Sequence, residues 1–401
     1  MEKVNILLIG IGGYGSNYIK ELTERNVPQA RIAGICEVMP EAWTRFPVIE
    51  ERGIPLFRTP EEFYRNCHAD LAVISTPIHL HFQQIITCLR QGSHVLAEKP
   101  VCTTLEEAEA LLAAEAETGR FVSVGYQLNY SRDVLAMKRD ILDGRFGRPV
   151  MMKALHAMSR GEKYYERNNW AGKIQVNGCM VNDSPFNNAC AHQFQNMTFL
   201  LGDAMNQAAR LKQVEAELYR ANAQVENFDT VAVKAVTGSG VPIYYYTSHD
   251  LKEKKLGPVS EYRFEHGTVY YGKDYGDGPV MEYVAELEDG SRKDYGQIPK
   301  GERLQKLYDA IDCVREGGHP VCSVGCAMPH LEAVSALAQM PVWQIGEEEL
   351  EHVEEDGDRY CRIRNLEKIF TACYEQQLMP SQAGARWSDE QRRRPWSVEE
   401  C

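Results

Sequence analysis

The run Val4-Asn-Ile-Leu-Leu-Ile-Gly-Ile-Gly-Gly-Tyr-Gly15 constrains this chain more than any other. An apolar stretch that breaks into Gly10-x-Gly12-x-x-Gly15 reads as a strand turning tightly into a helix. Gly10 makes the turn, Gly12 lets a phosphate approach the main chain, and Gly15 lets the helix lie close to the strand; Gly13 and Tyr14 stand between them. The amides at such a helix N-terminus form an anion site, so a pyrophosphate is expected at the start of the chain. Any tight strand-to-helix turn uses glycine, and the following segment supplies the context. Arg31-Ile-Ala-Gly-Ile-Cys36 reads as the next strand and ends in Glu37, 22 residues beyond Gly15. An acid there accepts hydrogen bonds from both ribose hydroxyls and repels a 2′-phosphate, which favours NAD over NADP.

Strand-like and helix-like periods then alternate to about residue 125. Asp70–Ser75, His94–Ala97 and Phe121–Val124 read as strands, with helical stretches near 60–67, 78–91 and 104–118. This βα alternation implies a parallel sheet covered on both faces. Asp143–Pro149 punctuates the chain before a new strand, Val150–Ala157. From about 210 to 297 the pattern becomes tyrosine-rich and alternating, with glycine turns, as in Pro242–Thr247, Tyr262–Val269 and Val280–Leu287. That reads as an antiparallel or mixed open sheet. Helical periods return at about 302–316, 327–339 and 364–377. The fold class is therefore α/β: an N-terminal Rossmann-type doubly wound parallel sheet over 1–125, an α+β domain with a large open sheet over 126–379, and an arm or tail over 380–401. A length of 401 residues also exceeds what one core usually serves. The sheet tyrosines read as core and interface material, and a homo-oligomer, dimer or tetramer, is expected because apolar sheet faces pair between subunits. Eight carboxylates between Glu347 and Asp358 read as a solvated loop, and Arg392-Arg-Arg-Pro-Trp396 as an extended arm or a loose tail.

A formal charge of −13 repels phosphodiesters and anionic membrane surfaces, so neither nucleic acid nor membrane is an expected partner. No apolar stretch reaches the roughly 18 residues a membrane span needs, and a soluble, cytoplasmic protein is expected. Twelve cysteines without a CxxC pair read as buried free thiols. Cys322, Cys326 and His330 lack the second pair a zinc site requires, so no metal is expected.

Glu98-Lys99-Pro100, together with the glycine fingerprint, Thr76-Pro77-x-x-x-His81 and Gly92-x-His94-Val95, resembles the Gfo/Idh/MocA oxidoreductases over roughly residues 4–340. The resemblance implies a Rossmann domain followed by a mixed open-faced sheet, with a nicotinamide cofactor in the cleft between them. Lys99 also has its own rationale: it ends what reads as the fourth strand, where open α/β sheets place ligands, and Pro100 restrains its backbone. Its expected task is to stabilise negative charge on a substrate oxygen. Ser75, Thr76 and Pro77 are candidates for the ribose or phosphates, as are Glu98 and His81; His81 and His94 serve equally well as loop or sheet packing.

The other half of the site is expected in Asn182-Asp-Ser-Pro-Phe-Asn-Asn-Ala-Cys-Ala-His192, read as a helix capped by Asp183 or Ser184 and running to Leu201, with Asn188 and His192 on one face. The family pattern is an Asp, three residues and a His, with Leu-Gly about ten further on; His192 matches, and Asn188 replaces the Asp. His192 is then the proton acceptor, oriented by an amide without countercharge unless Asp183 compensates. Between strand and helix, Ser159–Trp170 mixes polar and aromatic residues as sugar sites do. Tyr126, Gln127, Tyr165, Arg167, Asn169 and Trp170 join Asn188 and His192 as substrate candidates. The reading is an NAD-dependent oxidoreductase acting on a secondary hydroxyl or ketone of a sugar, cyclitol or derivative. Alternatives are an enzyme whose tightly held NAD is transiently reduced during glycoside cleavage, elimination or epimerisation, and a nucleotide-sensing protein without catalysis.

Overall fold

The apolar runs of the first third form β1 (Val4–Ile9), β2 (Ala30–Cys36), β3 (Leu56–Phe57), β4 (Leu71–Ile74), β5 (His94–Ala97) and β6 (Val122–Val124), paired in parallel in the order β3-β2-β1-β4-β5-β6. These strands belong to a computed structural model that describes residues 2–25, 27–296, 304–388 and, as backbone, 394–397. Near-continuous burial of β1 and β4 follows from helices on both sheet faces. Strand order reverses between β1 and β4, and such a switch point opens a crevice at the carboxyl ends of the strands. Two helices of this unit begin at side-chain caps. Thr59 Oγ1 accepts from Glu62 N–H (3.2 Å) before Pro60–Tyr64, and Thr104 Oγ1 from Glu107 N–H (3.2 Å) before Leu105–Thr118. Gly119, in the left-handed region, ends the latter.

The chain divides into two units, Met1–Ser131 with Pro299–Met328, and Arg132–Ile298 with Pro329–Cys401. This division departs from contiguous domains over 1–125 and 126–379. Within Gln305–Glu316, Leu307, Ala310 and Ile311 recur at helical spacing and pack with Ile6, Leu8, Leu71 and Leu96 in the core of the first unit. Val124 N–H also donates to Cys322 O (2.7 Å). A short strand, β3, precedes the expected third strand, so Lys99 follows the fifth.

The second unit carries β7 (Pro149–Met158), β8 (Gln175–Val176), β9 (Cys179–Met180), β10 (Leu211–Arg220), β11 (Thr230–Thr237), β12 (Pro242–Ser248), β13 (Lys255–Phe264), β14 (Gly267–Asp274), β15 (Pro279–Leu287), β16 (Arg292–Asp294), β17 (Val342–Gln344), β18 (Leu350–Glu355), β19 (Asp358–Ile363) and β20 (Arg394–Ser397). Its large sheet runs β16-β15-β14-β13-β7-β12-β11-β10-β17. β7 lies parallel to β12 and antiparallel to β13, so the sheet is mixed. Two of its buried tyrosines, Tyr245 and Tyr246, find main-chain acceptors. Tyr246 Oη donates to Cys373 O (3.0 Å) and Leu378 O (2.9 Å), which meets the cost of burying a hydroxyl.

Four expectations are corrected here. Tyr262–Val269 is two strands, because Glu265 and His266 form the turn between β13 and β14. Glu347–Asp358 is no loop: β18 and β19 form a hairpin in which Leu350 and Ile363 pair and are buried while most acids face outward. The helix expected from residue 184 begins at Ala191, since Ser184 Oγ accepts from Asn187 N–H (3.1 Å) and the chain makes a further turn first. Asn188 therefore precedes the helix that carries His192. In place of a loose tail, β20 pairs antiparallel with β10, Ala216 opposite Arg394; Arg392 and Arg393 lie outside the described residues. Among the described residues no helix is long and apolar enough to cross a membrane.

Candidate active site

The turn after β1 shows which glycines the protein itself needs. A Cβ on Gly10 (φ +82°) would lie 2.8 Å from Ser75 O, and one on Gly15 1.9 Å from Gly10 O. Both positions are closed to any side chain. A Cβ on Gly12 would make only an ordinary contact with Glu37, and one on Gly13 would meet nothing within 4 Å. Packing therefore gives no reason for glycine at 13, whereas close approach of a pyrophosphate to the main chain does. Glu37, buried at the end of β2, is held rigidly: Oε2 accepts from Ile11 N–H (2.9 Å) and Gly12 N–H (3.2 Å), Oε1 from Val38 N–H (2.8 Å) and Met39 N–H (3.0 Å). A fixed negative charge thus stands beside the glycine turn, as a ribose-binding acid requires. Arg45, which sequence reading missed, donates to Gly12 O (3.2 Å); no motif marks it.

At the ends of β4 and β5 several predicted residues turn out to be ties between loops. Half-buried Ser75 and exposed Pro77 flank Thr76, whose Oγ1 donates to Gln84 Oε1 (2.6 Å). His81 is buried with Nδ1 2.8 Å from Pro100 O and Nε2 2.9 Å from Thr76 O, and burial pushes its pKa down. Its ring joins the two loops and presents no further polar atom to a cofactor. Glu98 accepts from Tyr18 Oη (2.6 Å) and from Lys306 Nζ. Lys306, almost wholly buried, also donates to Gly125 O (3.1 Å) and lies 4.7 Å from the Tyr14 ring centroid. It was invisible in the sequence because it returns from 208 positions beyond Glu98. Lys99 is half-buried beside this knot, and its bond to Pro100 is cis. Tyr14 Oη reaches Gln127 Oε1 (3.4 Å), whereas Tyr126 is buried. His94 starts β5, at the opposite end of the strand from Lys99, where Nδ1 accepts from Phe121 N–H (3.1 Å); burial, then Arg120, lowers its pKa to about 4.

In the second unit, His192 is half-buried in the first turn of Ala191–Leu200. Asn188 Nδ2 donates to Asp183 Oδ1 (2.8 Å), and Asp183 Oδ2 accepts from Gly172 N–H (2.7 Å). A carboxylate thus stands behind the Asn188 amide. Gln193, next to His192, bonds His156 Nδ1 (3.0 Å). Tyr165 is buried with its hydroxyl 2.9 Å from His249 Nδ1, so it serves the interior. Arg167 and Asn169 are exposed and Trp170 half-buried.

The glycine cradle, a fixed acid and a lysine at a strand end define the first unit as a dinucleotide-binding α/β unit. Residues 4–126 match the model of the oxidoreductase family with an NAD-binding Rossmann fold, Gfo/Idh/MocA. It is 28% identical over 156 residues to an inositol 2-dehydrogenase of Rubrobacter xylanophilus, a match spanning 39% of this chain and only 44% of that enzyme's length. An inositol 2-dehydrogenase of Mycolicibacterium gilvum is 22% identical over 320 residues, 78% of this chain and 84% of the relative. In fold, the chain is similar to the WlbA dehydrogenase of Bordetella pertussis, solved with NADH and UDP-GlcNAcA: TM-score 0.68, 22% identity, covering 84% of this chain and 95% of that one.

Proposed function

We propose that this chain is an NAD-dependent oxidoreductase that interconverts a secondary hydroxyl and a ketone on a sugar, cyclitol or related polyol. The observation that carries the reading is the first unit's cradle: glycines left open at 12 and 13, with Glu37 fixed beside them and Lys99 at the end of β5. The open glycine turn and the Glu37 carboxylate would hold the dinucleotide, whose nicotinamide supplies the hydride acceptor or donor when bound. Lys99 is assigned to hydrogen-bond the substrate oxygen and to stabilise its negative charge as the hydroxyl is converted. His192 is assigned to take the hydroxyl proton, with the Asn188–Asp183 pair supplying orientation and countercharge. The cyclitol relatives named above support the substrate class.

The test is a screen of sugars and cyclitols with NAD, followed by nicotinamide absorbance. Stoichiometric NADH from a polyol supports the dehydrogenase. Product with bound NAD unchanged would replace it with an internal redox cycle, and NAD binding without turnover on any polyol would leave a sensor.

A further inference from the structure

Two arginines of the second unit converge on one ring. Arg167 Cζ lies 3.4 Å from the Tyr164 ring centroid and 5.5 Å from that of Trp170; Arg160 Cζ lies 4.8 Å from the same Tyr164 centroid. Like charges brought together repel, and in a chain with 57 acids against 44 bases, acidic partners are plentiful. Yet no described carboxylate makes an ion pair with either guanidinium. The acid whose charge reaches Tyr164 is Asp183, and its oxygens are engaged by Gly172 N–H and Asn188.

Arg160 is also under-satisfied. Its Nε is buried without a hydrogen-bond partner, and its Nη2 reaches only Met158 Sδ, at 3.7 Å. Beside it, His249 is 2% exposed, with Nδ1 engaged by Tyr165 and Nε2 lacking a partner among the described residues. Burial, then Arg160 and Arg167, keeps that imidazole neutral. Buried donors are rarely left unmet unless something else meets them.

The loop that presents the arginines is built rather than loose. Asp358 Oδ1 accepts from Lys163 N–H (3.1 Å), Glu162 pairs with Arg359, and Asn168 Oδ1 accepts from Ala171 N–H (2.8 Å). Gly172 joins it to Asp183 and hence to Asn188, four residues before His192.

We propose that Arg160 and Arg167, stacked on Tyr164, form an oxyanion subsite, and that the polyol this chain acts on carries a carboxylate or phosphoryl group. Planar guanidinium forks suit both groups, and donors held in place lose little freedom on binding. This inference rests on the dehydrogenase reading for its polyol.

The experiment titrates the NAD-loaded full chain with glucuronate, glucose 6-phosphate and neutral glucose, for the native sequence and for Arg160→Gln and Arg167→Gln. We expect one acidic sugar to bind at least about 10-fold more tightly than glucose, a preference that falls several-fold in each variant and weakens with salt. The two acidic sugars distinguish carboxylate from phosphoryl recognition. Thermal melting and NAD titration of each variant report folding, and Arg167→Lys provides a second test, because it keeps the charge but loses the fork. Equal binding of acidic and neutral sugars, no binding of either acid, or a preference unchanged in both glutamine variants would overturn the subsite. Arginine-dependent binding without NADH would keep the subsite and sink the dehydrogenase; NADH from neutral polyols alone would do the reverse.

Discussion

The two units present their candidate chemistry in opposite ways. In the first, the main chain makes the site: glycines at 10 and 15 close the turn, those at 12 and 13 leave it open, and Glu37 is fixed by four amides. In the second, side chains make it, brought together from Asn188, Asp183, the loop before Gly172 and the strand that ends near His249. A site written in backbone conformation tolerates almost no change of residue at its turns. A site written in side chains tolerates change and selects the ligand.

The contrast breaks most sharply at Gly15. Gly15→Ala places a Cβ against Gly10 O, main chain against main chain, so a loss of about 3 kcal/mol or more is expected, read as a large fall in melting temperature or insoluble protein. Gly13→Ala, with nothing near, should leave the melting temperature in place and weaken only NAD binding. If the two variants melt alike, the division between packing glycines and ligand glycines is wrong.

Lys99→Met should reduce turnover by about 10²- to 10³-fold while NAD titration stays close to native. Full activity would remove Lys99 from the chemistry. Lys306→Met strands Glu98 in a buried setting, and breaking such a pair costs about 3–5 kcal/mol. It should lower both the melting temperature and NAD affinity, whereas a loss of affinity alone would make Lys306 a ligand contact.

Asp183→Asn tests the second unit. Removing the carboxylate lowers the pKa of the imidazolium it stabilises, and His192 must be unprotonated to accept a proton. The acid limb of the pH-rate profile should therefore move down by about one unit. A limb that stays put in Asp183→Asn and in His192→Ala would assign the proton to another group.

The smallest effect concerns Glu115, whose pKa burial raises to about 7 although its carboxyl accepts from Val122 N–H. A raised folded pKa means stability present below the unfolded value near 4.5 and lost as pH rises through 7. Glu115→Gln should thus melt a few degrees above native at pH 8 and level with it at pH 5.

The sequence alone determined five of the first unit's six strands, its glycine turn and the placing of Glu37 and Lys99 just past strand ends, because those features are local: period, turn chemistry and capping act within a few residues. It also indicated that the second half holds a tyrosine-rich mixed sheet. What it misplaced were elements whose boundaries depend on partners: the helix start at Ala191, set by the Ser184 turn, and the acidic hairpin, where Leu350 and Ile363 outweigh eight carboxylates. Only the tertiary structure decided that residues 305–316 return to the first unit's core, that Lys306 locks Glu98, that Asp183 stands behind Asn188, and that Arg160 joins Arg167 on Tyr164. Each of the first three joins residues brought together by long-range packing or by an unpredicted turn. The arginines come from one loop, but their convergence depends on its anchorage to Asp358 and Arg359. Spacing along the chain says nothing about such meetings, because the burial of distant apolar faces fixes them.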